Sequence, residues 1–314
     1  MAASLEKKRA LAMASVAVAL VALFVFSEYL SIHRIYQVDE VETVFTARIL
    51  ALHRTADFTA SANLFILGPM ERVARATDHA ATMFRADRLM FFVVFWVNLC
   101  LIVRCTGVRL RSQKGLVYLL LAAAIAPLWD YGFEIRHDNV LLTCLLLAWS
   151  YARPLFDEKR VNLFAVAALS VIAQFFAFKA FVYTIPVIVF ALFNAFWTER
   201  RPPVRAFATL IAGAMTAFAV CGAIHVAEGT WSFYSSDTKS LSHAVAEATH
   251  FSPGFLFERF EFYGAPLIIV AVSAVVIAVI NFRRFVSRDS LLPEAAFILG
   301  ALIALYANPT PFPY

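Results

Sequence analysis

The sequence predicts an all-α protein, a polytopic bundle of transmembrane helices that forms a single domain over residues 1–314. Of the 314 residues, 61% are hydrophobic and only 16% are charged. A soluble domain carries about a quarter charged residues. The apolar residues also come in long blocks separated by short charged clusters, which is typical of repeated membrane crossings.

The apolar blocks predict about nine spans, since a helix needs about 20 apolar residues to cross a bilayer. The predicted spans are 10–30, 88–104, 115–130, 139–153, 161–178, 180–197, 206–227, 264–282 and 291–307. Lys7, Lys8 and Arg9 precede the first block, and no small-residue cleavage site follows it. We therefore interpret this block as an uncleaved first helix and not as a signal peptide.

Basic clusters between the blocks predict the orientation. They begin at Arg104, Arg153, Arg200 and Arg283. With the N-terminus in the cytoplasm, every one of them lies on the cytoplasmic side, as the positive-inside rule requires. We expect an integral protein of the plasma (inner) membrane. Its segment 31–87 and its loop 228–263 then face the periplasm or the cell exterior.

The first outer segment, 31–87, is predicted to contain two interfacial helices. In 39–54, apolar residues recur at helical spacing, with polar residues between them. These apolar residues are Val41, Val44, Phe45, Ile49 and Leu52. The stretch 69–83 begins with Pro69 and carries a polar face. Both patterns favour helices that lie along the membrane surface.

The first candidate site is the acidic pair Asp39 and Glu40, which directly follows the first span. Acidic residues at a helix start stabilise the helix dipole, and Asp39 is a suitable cap. A carboxylate at a membrane surface can also accept a proton from an attacking hydroxyl or hold a divalent cation. Both interpretations remain open on these residues alone.

The second candidate site is the polar run 134–139, which enters the fourth span and contains Arg136, His137 and Asp138. Asp138 or Asn139 can cap that helix. The run is more polar than capping requires, and ionisable groups near the hydrocarbon layer usually face a cavity or a partner. A structural role and a functional role are therefore both open.

Lys179 is the third candidate, because apolar residues flank it on both sides. Such a lysine either snorkels to the interface or binds an anion such as a phosphate. The predicted topology brings it to the outer face, with the other two groups.

Other polar residues have simpler explanations. Arg85 and Arg88 precede the second span and are expected at the interface, and Asn98 and Gln174 are expected to form interhelical hydrogen bonds. The net charge of +5 reflects the topology clusters, so we expect no nucleic-acid partner. The cysteine spacing indicates no metal site. We expect no cofactor, and a divalent cation at the acidic pair is an open alternative.

The order of these motifs resembles the GT-C class of membrane glycosyltransferases. Within that class the chain is most similar to the group of protein O-mannosyltransferases and the lipid A aminoarabinose transferase. Asp39-Glu40 opens a long outer segment as in that group. Arg136-His137-Asp138 is similar to its Arg-x-Asp segment, and Phe178-Lys179-Ala180 followed by Pro186 resembles its Thr-Lys-Gly segment. The resemblance covers most of residues 10–200.

The resemblance implies a transferase that takes a sugar from a polyprenyl-phosphate carrier in the bilayer. The acceptor would be a saccharide, a lipid or a protein on the outer face. Asp39 would be the general base, with Glu40 as its support or as a second acid. Lys179 and Arg136 would neutralise the departing lipid phosphate, and His137 and Asp138 would line the same substrate site.

The chain also departs from that family's pattern. Asn63–Pro69 replaces a Pro-Pro-Leu stretch, and Phe178 and Ala180 replace the Thr and the Gly beside the lysine. Family members commonly continue beyond the point that corresponds to Tyr314, so a short member, a fragment and a truncated frame are all open interpretations. Two other functions fit the pattern: a transporter or flippase for a lipid-linked saccharide, and a non-catalytic subunit of an envelope assembly complex.

Overall fold

The structure is a computed structural model, and it is helical throughout the part of the chain that it describes. It describes residues 2–33, 38–52, 64–123, 132, 134–153, 160–176, 180–197 and 199–227. The helices are α1 (Ala2–His33), α2 (Val38–Ala51), α3 (Leu64–Ala76), α4 (Ala80–Cys105), α5 (Gln113–Ala123), α6 (His137–Ala152), α7 (Leu163–Phe176), α8 (Ala180–Trp197) and α9 (Pro203–Ala227). These residues contain no strand, so the all-α prediction is confirmed for them.

Three of these helices are long and apolar enough to cross a membrane. They are Ala10–His33 within α1, the whole of α4 and the whole of α9. Helices α5 and α7 and the stretch Tyr183–Trp197 of α8 are apolar but shorter. The spans predicted at 264–282 and 291–307 lie outside the described residues, as does the loop 228–263. The structure therefore supports a membrane protein with three candidate spans, and the count of about nine stays a prediction.

The chain divides into two compact units. The first contains α1 to α5 and α6 as far as Ser150. Its core lies where α4 packs against α1 and α5. Phe95, Leu99 and Val103 of α4 are buried there with Ala122 and Ala123 of α5.

Trp96 joins α4 to α1 through both apolar and polar contacts. Its indole Nε1 donates a hydrogen bond of 3.0 Å to Oγ of Ser27. Its ring lies 5.3 Å from that of Phe24, which in turn makes an edge-to-face contact with Phe92 at 5.1 Å. Aromatic pairs at these separations stabilise packing beyond the area that they bury.

The predicted interfacial helix 39–54 corresponds to α2, which begins at Val38 and ends at Ala51. Val44 and Ala47 are buried, whereas Phe45 and Leu52 are 56% and 48% exposed. Buried positions four and three residues apart define one helical stripe, which begins at Glu40. Helix α2 therefore buries Glu40 together with Val44 and Ala47 and leaves the ring of Phe45 exposed.

The second predicted interfacial helix, 69–83, was wrong in its bounds. Helix α3 runs from Leu64 to Ala76, with Pro69 inside it, and α4 begins at Ala80. Arg48 of α2 explains the break. Its guanidinium donates hydrogen bonds to the carbonyl of Ala74 at 2.6 Å and to Asp78 at 2.6 Å, which satisfies the end of α3.

Exposed apolar residues form stripes along the candidate spans. On α4, Leu89, Val93 and Val97 are exposed at every fourth position. A water-soluble monomer rarely exposes contiguous apolar surface of this kind. These stripes are compatible with a lipid bilayer around the helices.

The second unit contains Tyr151–Arg153, α7 as far as Gln174, α8 and α9. Helices α7 and α9 approach closely at Gly213, where an added Cβ would lie 2.3 Å from the carbonyl oxygen of Phe164. Small residues at a crossing let two backbones come together in this way. Gln174 donates a hydrogen bond of 3.1 Å to Thr184 of α8, which confirms the expected interhelical role of Gln174.

Candidate active site

The acidic residue Glu40 is fully buried on the inner face of α2. Its partner is Arg88 of α4, which is 1% exposed. Nε of Arg88 donates to Oε1 of Glu40 at 2.9 Å, and Nη2 donates to Oε2 at 2.6 Å. This is a bidentate ion pair, in which the planar guanidinium donates one hydrogen bond to each carboxylate oxygen.

Two backbone groups also form hydrogen bonds with the ion pair. Nη1 of Arg88 donates to the carbonyl of Ser31 at 3.1 Å, and the amide of Ile135 donates to Oε1 of Glu40 at 3.1 Å. We call these four residues, Ser31, Glu40, Arg88 and Ile135, the ion-pair cluster. It ties together α1, α2, α4 and the segment that precedes α6.

Charges alternate in the segment next to the cluster. Nη1 of Arg136 lies 3.8 Å from Oε2 of the buried Glu134, and Nη2 lies 3.6 Å from Asp138. The imidazole of His137 lies 3.5 Å from the other oxygen of Asp138. Arg136 is mostly buried, and His137 and Asp138 are about a third exposed. A cation and two partly open polar groups therefore meet at the start of α6.

A hydrogen-bonded chain fixes this segment to α4. Nδ2 of Asn139 donates to the carbonyl of Glu134 at 2.9 Å. Nδ2 of Asn98 donates to the carbonyl of Asn139 at 2.9 Å, and Thr143 donates to Oδ1 of Asn98 at 2.7 Å. The interhelical role expected for Asn98 is confirmed. Buried polar groups with this many partners hold a segment in one arrangement.

The structure brings together some of the site residues that the sequence predicts, and others lie outside the part of the chain that it describes. Glu40 and the run from Arg136 to Asp138 meet through the ion-pair cluster. Asp39 lies in the first turn of α2, directly before Glu40, but the structure does not describe its side chain. Lys179 lies outside the described residues. Catalytic and substrate-binding roles for these residues stay predictions.

Sequence reasoning missed Arg88. We expected it at the interface, whereas it is buried against Glu40, which lies 48 positions away in the chain. Phe91 and Phe92, three and four residues later, are buried on the same side of α4 as Arg88. Arg85 is exposed, in agreement with the interfacial expectation.

Charged side chains of both signs line this part of the first unit. The described residues contain no group of three His, Cys, Asp or Glu side chains that could hold a metal ion. The carboxylate of Glu40 accepts hydrogen bonds from the guanidinium of Arg88 and from the amide of Ile135. Arg136 supplies a positive charge on the same side of the first unit.

Comparison with known proteins adds no assignment. No protein-family model, no curated protein and no solved structure matches the chain.

Proposed function

We propose that the chain is a membrane glycosyltransferase that moves a sugar from a polyprenyl-phosphate carrier to an acceptor on the periplasmic or extracellular face. The observation that supports this best is the hydrogen bond from the amide of Ile135 to Glu40. It connects the segment of the expected base, Asp39, to the segment of the expected phosphate-binding cation, Arg136. Two motifs that lie far apart in the sequence therefore belong to one polar region.

The reaction needs a base and a counter-charge on opposite sides of the sugar. In the proposed step, Asp39 takes the proton from an acceptor hydroxyl, whose oxygen then bonds to the anomeric carbon. The bond from that carbon to the phosphate oxygen breaks, and its electron pair stays with the lipid phosphate. Arg136 and Lys179 neutralise that phosphate, and the anomeric configuration inverts.

Glu40 acts in this scheme as the support of Asp39. Its carboxylate is already engaged by Arg88 and Ile135, so its contribution is to fix the first turn of α2. Adjacent α-carbons are about 3.8 Å apart, so the backbone of Asp39 is fixed with it. Holding a base in place lowers the entropy cost of the reaction.

The location of the cluster along α4 supports an outer site. Arg88 lies near the N-terminal end of α4, and Arg104 lies near its C-terminal end. The 16 positions between them correspond to about 24 Å of helix, most of the roughly 30 Å hydrocarbon layer. If the basic loop after Arg104 is cytoplasmic, the ion-pair cluster lies near the outer surface.

The proposal is tested by sugar transfer in membranes that contain equal amounts of wild type, Asp39→Asn or Asp78→Asn. The donor is a radiolabelled pool of polyprenyl-phosphate sugars. Asp78 is the matched control, because it is an exposed aspartate of the same outer segment. We expect the Asp39 variant to lose about 100-fold or more in rate, the typical contribution of a general base, and the control to retain wild-type activity. Equal rates in all three would remove Asp39 from the mechanism.

A further inference from the structure

Asp87 is a buried carboxyl group with an unsatisfied oxygen. It is 1% exposed, and its Oδ1 receives no hydrogen bond from any residue that the structure describes. The neighbouring Arg88 directs its guanidinium to Glu40 and to the carbonyl of Ser31. The mechanism proposed above gives Asp87 no role.

The helix geometry of α4 locates Asp87 relative to the rest of the site. Asn98 follows it by eleven residues, which is about three turns, so the two share one face of the helix. Asn98 contacts Asn139 at the start of α6. Asp87 therefore lies on the same face of α4 as Asn98, towards the end of that helix at which the ion-pair cluster lies.

A buried carboxyl group without a donor is costly. Its Oδ1 is removed from water, and no hydrogen bond from a described residue replaces that hydration. An apolar side chain at the same position would avoid the cost, as Phe84 and Phe91 do on the same face. Intramembrane ionisable groups of this kind usually serve function. Among the described residues, Oδ1 of Asp87 therefore has an unused capacity to accept a hydrogen bond.

We propose that Asp87 binds the sugar of the lipid-linked donor by accepting a hydrogen bond from one of its hydroxyl or amino groups. This inference rests on the proposed glycosyltransferase function. A phosphate is a poor ligand for Asp87, because phosphate at neutral pH offers few hydrogen-bond donors. A sugar hydroxyl is neutral, and it supplies the donor that Oδ1 lacks.

The first test compares the stability of the ligand-free protein in detergent. Asp87→Leu removes an unsatisfied polar group, so we expect its Tm to stay equal to that of wild type or to rise by about 2–4 °C. Asn98→Leu is the matched control, because it removes a satisfied polar side chain from the same helix face, and we expect its Tm to fall. A fall in the Asp87 variant as large as that of the control would overturn the proposal, since Asp87 would then be structural.

The second test measures binding of short-chain polyprenyl phosphates that carry mannose, glucose or 4-amino-4-deoxyarabinose, with the bare polyprenyl phosphate as reference. The sugar lipid that binds wild type most tightly is then compared in Asp87→Asn. We expect the variant to bind it about 10–100-fold more weakly and to bind the bare lipid as wild type does.

The outcomes of the binding test separate the two proposals. If wild type prefers a sugar lipid and the variant binds that lipid equally well, the sugar assignment of Asp87 is wrong and the glycosyltransferase proposal stands. If wild type binds no sugar lipid more tightly than the bare carrier, the glycosyltransferase proposal fails, and the role of Asp87 fails with it.

Discussion

At the scale of single residues, the central feature of the first unit is the ion pair of Glu40 and Arg88. Both side chains are buried, and transferring an ion from water into a protein interior is costly. The two hydrogen bonds between them, with those to Ser31 and Ile135, offset that cost. Such a pair adds little net stability compared with apolar residues. Its contribution is to fix one arrangement of the helices that it joins.

Removal of one partner tests this role. We expect Arg88→Met to lose about 3–5 kcal/mol of unfolding free energy, because a buried carboxylate is left without its guanidinium. Arg85→Met is the matched control, since Arg85 lies one turn earlier on α4 and is exposed. Thermal unfolding of the purified protein in detergent measures both. Equal losses in the two variants would show that burial of the pair has no energetic consequence.

The double variant Glu40→Leu/Arg88→Met separates pairing from packing. We expect it to be more stable than Arg88→Met alone, because no uncompensated charge remains. It should nevertheless have lower sugar transfer than wild type, since the start of α2 is no longer held. A double variant less stable than the single one would contradict this account.

Some of the residues of this polar region could be identified from the sequence. Glu40 and the run around Arg136 were recognisable because charges next to apolar blocks are rare enough to notice. Arg88 was not recognised, because its partner is distant in the chain and no local pattern encodes a tertiary ion pair. The hydrogen bonds of Asn98 were predictable, since an amide inside an apolar helix needs a partner.

At the scale of elements, the apolar blocks predicted the apolar helices well, and helical periodicity predicted the helices of the outer segment less well. The predicted span 180–197 coincides with α8, and the span 206–227 differs from α9 only at its start. The helix predicted at 69–83 fails because its end is determined by Arg48, a residue of another helix. Periodicity reports a helix face, but it does not report which side chain satisfies the last carbonyl groups.

Gly213 provides a test at this scale, within the second unit. A side chain there would meet the backbone of Phe164, so we expect Gly213→Val to lose about 1–3 kcal/mol of unfolding free energy through overpacking. Ala212→Val adds similar bulk at an exposed neighbour and should change stability by less than about 0.5 kcal/mol. Chemical unfolding in detergent compares them. A close approach of α7 and α9 is contradicted if the two variants are equally stable.

At the scale of the whole molecule, the described residues support a helical membrane protein with three candidate spans. Composition predicted this class, because so few charged residues cannot cover the surface of a soluble protein of this length. Topology and the number of spans depend on how the helices lie in a bilayer. They remain predictions from the basic clusters.

The predicted topology has a direct test. Single cysteines are introduced by Thr82→Cys and Gln113→Cys, both at exposed positions, after replacement of Cys100, Cys105, Cys144 and Cys221. We expect a membrane-impermeant maleimide to label the first variant in intact cells and the second only after permeabilisation. Labelling of both variants from the same side would contradict a membrane crossing by α4.

The central claim is that the chain breaks a bond in its lipid substrate, and one measurement separates this from transport. The purified chain is reconstituted in liposomes with the preferred polyprenyl-phosphate sugar and with solubilised envelope extract as the source of acceptors, and both lipid products are quantified. The account predicts that sugar leaves the carrier and that an equimolar amount of free polyprenyl phosphate appears. An intact lipid-linked sugar that only redistributes between the leaflets would contradict the account and identify a flippase.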